Sequence, residues 1–322
     1  MIHILGPGAI GLLHATHLLK YTKIPITLIG TKIINPFKFT HQQLNHQSTS
    51  FECDYKTSQQ IQQPIDRLIV CTKSYDVISS IESIQHQLHE QTIIIILSNG
   101  ILKILNDLNV YQTKNKNIGM ILPGITTHGS IKINSNIVHT GIGFTQIGIS
   151  DVQMNSRQQQ QYEEFMDILT LGWKELNFQR LNDKEIQLKL YWKFCMNCII
   201  NPITCLINCK NGFIDYNHCH DLIEPLLNEF LLVFPIMSTF GLTKQSLLND
   251  IYQLCLDTFN NQNSMLVDLY KGRRLELDYL NGFLIEMAKK NSIDVPNHLF
   301  LFHAIQSKVQ LITKNSHLVG HL

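Results

Sequence analysis

Apolar and polar positions divide the chain into two textures. Short unbroken apolar runs, "IHIL" at Ile2–Leu5, "ITLIG" at Ile26–Gly30, "RLIVCTK" at Arg67–Lys73 and "TIIIILSNG" at Thr92–Gly100, alternate with helical spacing at Ile10–Tyr21 and Tyr75–Leu88. Such runs suit strands buried on both faces, and their alternation with helices predicts a doubly wound parallel sheet. The segment from Thr31 to Pro64 is polar and poorly periodic, and no strand is assigned to it. From Asn117 to Ser150 the chain is rich in Ile, Thr and Gly with repeated turn signals, which predicts short antiparallel strands appended to the sheet. Helical spacing resumes in "RQQQQYEEFMDILTLGWKEL", and "NFQR" reads as a last strand. Beyond Asn182 the pattern is almost wholly helical, with breaks near Gly212, Gly241 and Pro296. The expected division is an α/β domain over 1–182 and an all-α domain over 183–322.

Composition narrows the partners. The net charge is +1 with both signs scattered, which gives no footprint for nucleic acid and no polybasic membrane patch. Small molecules and other protein surfaces remain, and an apolar helical half leaves room for pairing with a second copy as a homodimer. The opening residues carry no basic leader, and the purely apolar runs fall far short of the ~18 residues of a membrane span. A cytoplasmic location is expected, with the eight cysteines as reduced thiols. Four of them, Cys195, Cys198, Cys205 and Cys209, crowd one segment. On a continuous helix the outer two would stand about 21 Å apart, too far to share one tetrahedral ion. "HCH" at His218–His220 points its side chains apart, so no metal is expected.

"GPGAIG", Gly6-Pro7-Gly8-Ala9-Ile10-Gly11, follows the first strand and opens the first helix. In that context the first glycine makes the tight turn, the second lets the backbone approach a pyrophosphate, and the third lets helix pack on strand. This predicts a Rossmann-type dinucleotide site. The second strand ends in Thr31 and Lys32, with no acid to hold a ribose 2′-hydroxyl. A cation and a hydroxyl there suit a 2′-phosphate, which favours NADP over NAD, although Lys32 also reads as a solvated loop residue.

"KFCMNCIINP" places Lys193, Asn197 and Asn201 at i, i+4 and i+8, one stripe of an otherwise apolar helix. Read alone, the stripe is either a lysine snorkelling to water with helix-bridging asparagines or a substrate-facing row. The longer string "YWKFCMNCIINPITCLINCKNG", with "NNQNSMLVDLYKGRRLELDYLNGFL" downstream, resembles the ketopantoate reductase family. The glycine loop, the "CTK" after one strand and the "NG" after the next fit as well. The resemblance implies a Rossmann domain plus a helical domain of the 6-phosphogluconate dehydrogenase C-terminal type, with the substrate cleft between them. It implies NADPH-dependent reduction of 2-dehydropantoate to pantoate, in pantothenate and coenzyme A biosynthesis.

Carried over by position, Lys193 is implied as general acid and Glu276 as its acidic partner, also on the cofactor side. Asn197, Asn201, Ser264, Asn261 and Asn211 are implied at the substrate, and Lys73 and Asn99 at the nicotinamide. There are two departures. Asn263 replaces the first serine of a pair and Val267 a commonly polar residue, and no arginine follows the second strand. Alternatives on the same scaffold are a reductase of another 2-oxoacid and a non-catalytic NADP-binding sensor. His128 receives no role, and the basic run Lys271–Arg274 reads as a solvated loop that could steer an anion.

Overall fold

Ile2, Ile4, Leu28, Leu68, Ile69, Val70 and Ile93–Ile96 lose essentially all contact with solvent, and a segment buried on both faces must pair every backbone amide with a neighbouring strand. In the computed structural model, which describes residues 1–31, 37–114, 118–149 and 154–319, these segments lie side by side. The strands are β1 (Ile2–Leu5), β2 (Ile26–Ile29), β3 (Phe37–Gln42), β4 (Ser48–Lys56), β5 (Arg67–Val70), β6 (Ile93–Ile96), β7 (Met120–Thr126), β8 (Gly129–Ile133), β9 (Asn136–Gly141), β10 (Thr145–Gly148) and β11 (Phe178–Leu181). They form one sheet of order β11-β10-β7-β6-β5-β1-β2-β4-β3-β9-β8. The run from β7 to β4 is parallel throughout. Helices α1 (Ala9–Tyr21), α2 (Val77–Glu82), α3 (Ile101–Lys114) and α4 (Ser156–Gly172) complete this unit. Its core joins Leu12, Leu13, Ile69, Ile95, Leu122, Phe165 and Trp173.

Three elements differ from the sequence reading. The unassigned polar segment contains the β3–β4 hairpin, antiparallel with Phe37 opposite Cys53. Its signal is the alternation of buried Phe37, Phe39 and His41 with more exposed neighbours, and it packs through Phe37–Phe39 and Phe37–Tyr55 ring contacts at 5.6 and 5.2 Å. The expected antiparallel pairs are present as β7–β10 and β8–β9, but β7 also extends the parallel sheet by pairing with β6. Its Gly124 looks like a turn signal, yet it lies within the strand at a close approach, where a Cβ would come 2.6 Å from Leu97 Cδ2 and 3.2 Å from the Ile96 carbonyl. The helix expected over Tyr75–Leu88 is broken into α2 and flanking 3₁₀ turns. Ser79 and Ser83 hydroxyls bond back to the carbonyls of Asp76 and Ser80, the local competition that disfavours helix interiors.

The second compact unit begins at Leu188, within α5 (Asp183–Ile207), and continues through α6 (Tyr216–Val233), α7 (Ile236–Thr239), α8 (Lys244–Asp257), α9 (Ser264–Tyr270), α10 (Asn281–Lys290) and α11 (Pro296–Val319). Helix α5 has the length and hydropathy to cross a membrane, but 67% of that stretch is buried within the protein. Its Phe194 meets Phe230, Phe234 and Phe283 at ring-centroid distances of 5.5–5.9 Å, which seats α5 against α6 and α10. Gly212 lies in a 3₁₀ turn, Gly241 between α7 and α8, and Pro296 opens α11, the first-turn position where its missing N–H costs nothing.

Candidate active site

Leu5, Val70 and Ile96 are register neighbours at the ends of β1, β5 and β6, so the loops that follow these strands begin side by side. Gly6 takes φ +90, and a Cβ on it would lie 2.7 Å from Thr72 Cγ2 and 2.8 Å from Thr72 N. A Cβ on Gly11 would lie 2.4 Å from the Gly6 carbonyl. Gly8 is different: a Cβ there meets no protein atom within 4 Å. The fold therefore needs glycine at 6 and 11, while at 8 it leaves open space and makes no such demand. Gly8 caps α1 without any side-chain hydrogen bond, so no cap side chain occupies the first-turn N–H groups, the kind of helix start that can receive a pyrophosphate.

Lys73 follows β5 as the cap of a 3₁₀ turn. Asn99 follows β6, and the Ser98 hydroxyl donates to the Thr72 carbonyl at 2.7 Å, tying the two strand ends together. Thr31 is exposed at the end of β2, and Lys32 lies outside the described residues. Two residues not singled out from sequence reach the glycine loop from β8. Lys132 Nζ donates to the Pro7 carbonyl at 2.8 Å, and the Ser130 hydroxyl donates to the Ala9 carbonyl at 3.3 Å. Their i, i+2 spacing on one strand face was the available signal, weak without knowing what the face meets.

In the helical unit Lys193 is half-buried on α5. Burial pushes its ammonium down to about 8, and the negative charge of Glu276 offsets part of that shift. Glu276 is itself buried, 6% exposed, in the turn Glu276–Tyr279. What brings this turn to α5 is a proline. Pro202 sits inside the helix and has no N–H for the carbonyl of Cys198, four residues earlier. The fully buried Asn281 supplies it: its Nδ2 donates to the Cys198 carbonyl at 2.8 Å and to His298 Nδ1 at 3.0 Å. His298 Nε2–H in turn donates to the Leu226 carbonyl at 3.0 Å, and burial holds the imidazole neutral with a pKa near 4. The N-P of the first motif and the N-G of the second are thus two halves of one contact.

Further along the stripe, Asn197 is half-buried and Asn201 buried. The Asn201 carbonyl accepts from the Thr204 hydroxyl at 2.8 Å, and Thr204 Oγ1 accepts from Asn263 Nδ2 at 2.5 Å. Asn263 also caps α9, its Oδ1 accepting from Leu266 N at 3.0 Å. The residue that departs from the serine pair therefore anchors Ser264, exposed at the first position of α9. Asn211 donates to Thr258 Oγ1 at 2.9 Å and accepts from Asn263, while its backbone N–H bonds the Asn261 carbonyl. The structure spends the Asn211 side chain inside this network and leaves Asn261 exposed. Asp268, 2% exposed, is neutralised by Arg273 at 2.5 Å, which gives one member of the basic run a structural partner.

A Rossmann-type sheet with a glycine loop and a separate helical unit carrying a half-buried lysine define a dinucleotide-binding protein of the two-unit reductase class. Models of the ketopantoate reductase PanE/ApbA family match residues 2–151 and, for its C-terminal part, 185–309. The 2-dehydropantoate 2-reductase of Escherichia coli O157:H7 is 27% identical over 315 residues, 95% of this chain and 94% of its own. Among solved structures, D-mandelate dehydrogenase with NADH and anilino(oxo)acetate aligns with a TM-score of 0.80 at 18% identity, covering 97% of this chain and all of its own. A dimeric ketopantoate reductase from Staphylococcus aureus aligns with a TM-score of 0.74 at 20% identity, over 96% and 98% of the two chains. The chain belongs to the ketopantoate reductase family.

Two outcomes follow from the local geometry. Gly8→Ala should leave the unfolding free energy within about 1 kcal/mol while weakening dinucleotide binding at least ~10-fold; Gly6→Ala and Gly11→Ala should each destabilise by about 2 kcal/mol or more. Urea unfolding and calorimetric titration separate the two effects. Asn281→Ala should cost about 2–3 kcal/mol, because it leaves the Cys198 carbonyl buried and unpaired, and urea unfolding reads this directly.

Proposed function

We propose that the protein reduces 2-dehydropantoate to pantoate with NADPH, with residues 1–182 holding the cofactor and 183–322 supplying the catalytic groups. The observation that carries this reading is Lys193, a half-buried lysine on the apolar helix α5 whose ammonium pKa is lowered to about 8 by burial, with the negative charge of Glu276 offsetting part of the shift. The cofactor, when bound, supplies the hydride. The space above Gly8 fits its pyrophosphate, with Gly6, Pro7, Ala9, Ile10 and Gly11 forming the cradle and Lys132 adding a fixed positive charge beside it. Thr31 and Lys32 are assigned to the 2′-phosphate, and Lys73, Asn99 and Glu276 to the nicotinamide side.

Lys193 donates a proton to the substrate's keto oxygen as negative charge develops there, the positioned-acid role that contributes roughly 10²–10⁴-fold. Glu276 keeps that ammonium protonated at neutral pH by opposing the cost of its burial. The amides of Asn197 and Asn201, without hydrogen-bond partners for their side chains among the described residues, and the exposed Ser264 hydroxyl are neutral groups suited to a carboxylate and a hydroxyl. Asn261 and Asn211 support the same end of the stripe. By likeness to the dimeric Staphylococcus aureus enzyme, the assembly we propose is a homodimer.

The test is the loss of NADPH absorbance on adding 2-dehydropantoate. Lys193→Ala should lower kcat at least ~10²-fold while NADPH binding persists. In the wild type, kcat/KM should fall as pH rises through about 8, because the acid of the free enzyme is lost there. A protein that binds NADPH and reduces only other 2-oxoacids would overturn the substrate. Full turnover in the Lys193→Ala variant would overturn the acid.

A further inference from the structure

Three buried histidines of the α/β unit stand apart from the dinucleotide loop and from the proposed chemistry. His17 lies on α1, His41 on β3 and His139 on β9, and they are 3%, 1% and 8% exposed. One ring nitrogen from each comes within 4.8 Å of the others. His17 and His41 rings meet edge-on at 5.5 Å, and His41 and His139 lie 6.2 Å apart. We propose that His17, His41 and His139 bind a divalent transition-metal cation of the zinc class, which ties α1 to the β3–β9 pair.

The hydrogen bonds around the cluster carry the argument. Buried His14 uses both nitrogens, with the Ile10 carbonyl at 2.9 Å and Thr145 Oγ1 at 3.0 Å, and His3 leaves only its Nδ1 buried without a partner. His17 uses neither of its nitrogens in a hydrogen bond, and His41 Nε2 is buried without a partner. Buried polar atoms left in this way are costly, and an ion at their centre satisfies them together.

The neighbours complete the pattern. His128 Nε2–H donates to the Leu176 carbonyl at 3.0 Å, so its Nδ1 is bare and accepts from Gly143 N and from His139 Nε2, both at 3.1 Å. That relay puts the proton of His139 on Nε2 and leaves a lone pair on Nδ1, the neutral form that ligates. Glu175 Oε2 stands 3.6 Å from His17 Nδ1, placed to orient that ring as outer-sphere carboxylates orient metal-bound histidines. Burial keeps His17 and His41 uncharged at neutral pH, their pKa values lowered to about 3 and 4.

The donor set selects the ion. Three neutral imidazoles without thiolates suit zinc, cobalt, nickel or copper, whereas magnesium and calcium need oxygen ligands. Bonds of about 2.0–2.1 Å place tetrahedral ligand atoms ~3.3 Å apart, so the rings close in slightly on binding, and the fourth position falls to water.

The experiment uses untagged full-length protein, stripped with a chelator and titrated with Co²⁺ and Zn²⁺. Expected are one equivalent bound, measured by elemental mass spectrometry, a tetrahedral cobalt absorption band displaced by zinc, and a raised melting temperature. His41→Gln should abolish the band. Glu175→Gln, a change at a 43% exposed side chain that leaves the core intact, should weaken cobalt binding 10–100-fold. No stoichiometric uptake by the wild type, which would leave water as the group between the rings, overturns the proposal. So does a cobalt band undiminished in both variants, which would place the ion elsewhere.

Discussion

The carbonyl of Cys198, which Pro202 leaves without its helical N–H, is where the helical unit is tied together. An unpaired carbonyl in that environment costs about 1–3 kcal/mol, and Asn281 removes the cost with one amide hydrogen at 2.8 Å. Because Asn281 follows directly on the short turn that holds Glu276, fixing the amide also fixes the carboxylate near Lys193. His298, bonded to Asn281 and to the Leu226 carbonyl, extends the tie to α6 and α11. The Glu229 carboxylate, buried on α6, then accepts from the backbone N–H groups of Asn297 and His298 at the start of α11. A backbone defect in one helix thereby organises three others and holds a cation and an anion together in an apolar surround.

The α/β unit solves a related problem with strand register. Parallel pairing puts the ends of β1, β5 and β6 side by side, and only there do the glycine loop, Thr72 and Ser98 meet. Sheet twist brings the far end of the strand order back toward α1, so that β8 touches the loop through Ser130 and Lys132. The same curl brings β9 and β3 to the middle of α1, where the three histidines gather. Helix α1 thus opens at the glycine loop, and distant strands meet its later turns through the His14–Thr145 hydrogen bond and the His17–His41 ring contact.

Much of this was legible in order along the chain. The strand–glycine loop–helix start, the "CTK" and "NG" strand ends and the lysine–asparagine stripe are local patterns, set by burial on both faces of a strand or by helical spacing, and they lie where their sequence implies. The β3–β4 hairpin was not legible. Its apolar face is carried by Phe37, Phe39, Cys53 and Tyr55, interleaved with polar residues and dependent on cross-strand partners. Gly124 read as a turn and is a close approach, because its neighbour Leu97 comes from the residue just after β6, a separate segment. The serines of Ser79–Ser83 shortened a helix whose apolar spacing alone extends further.

Sequence by itself determined the class of the chain: two units, a dinucleotide loop, and a charged stripe on a greasy helix, since each is written in contiguous residues through the geometry of one strand or one helix. Tertiary structure decided what those residues meet. Lys132 gains its place from Pro7, 125 residues away, and Asn281 gains its purpose from a carbonyl 83 residues away. His17, His41 and His139 become a group only when α1 lies across β3 and β9. Hydrogen bonding and burial depend on the atom opposite, and in this chain that atom comes from a distant segment.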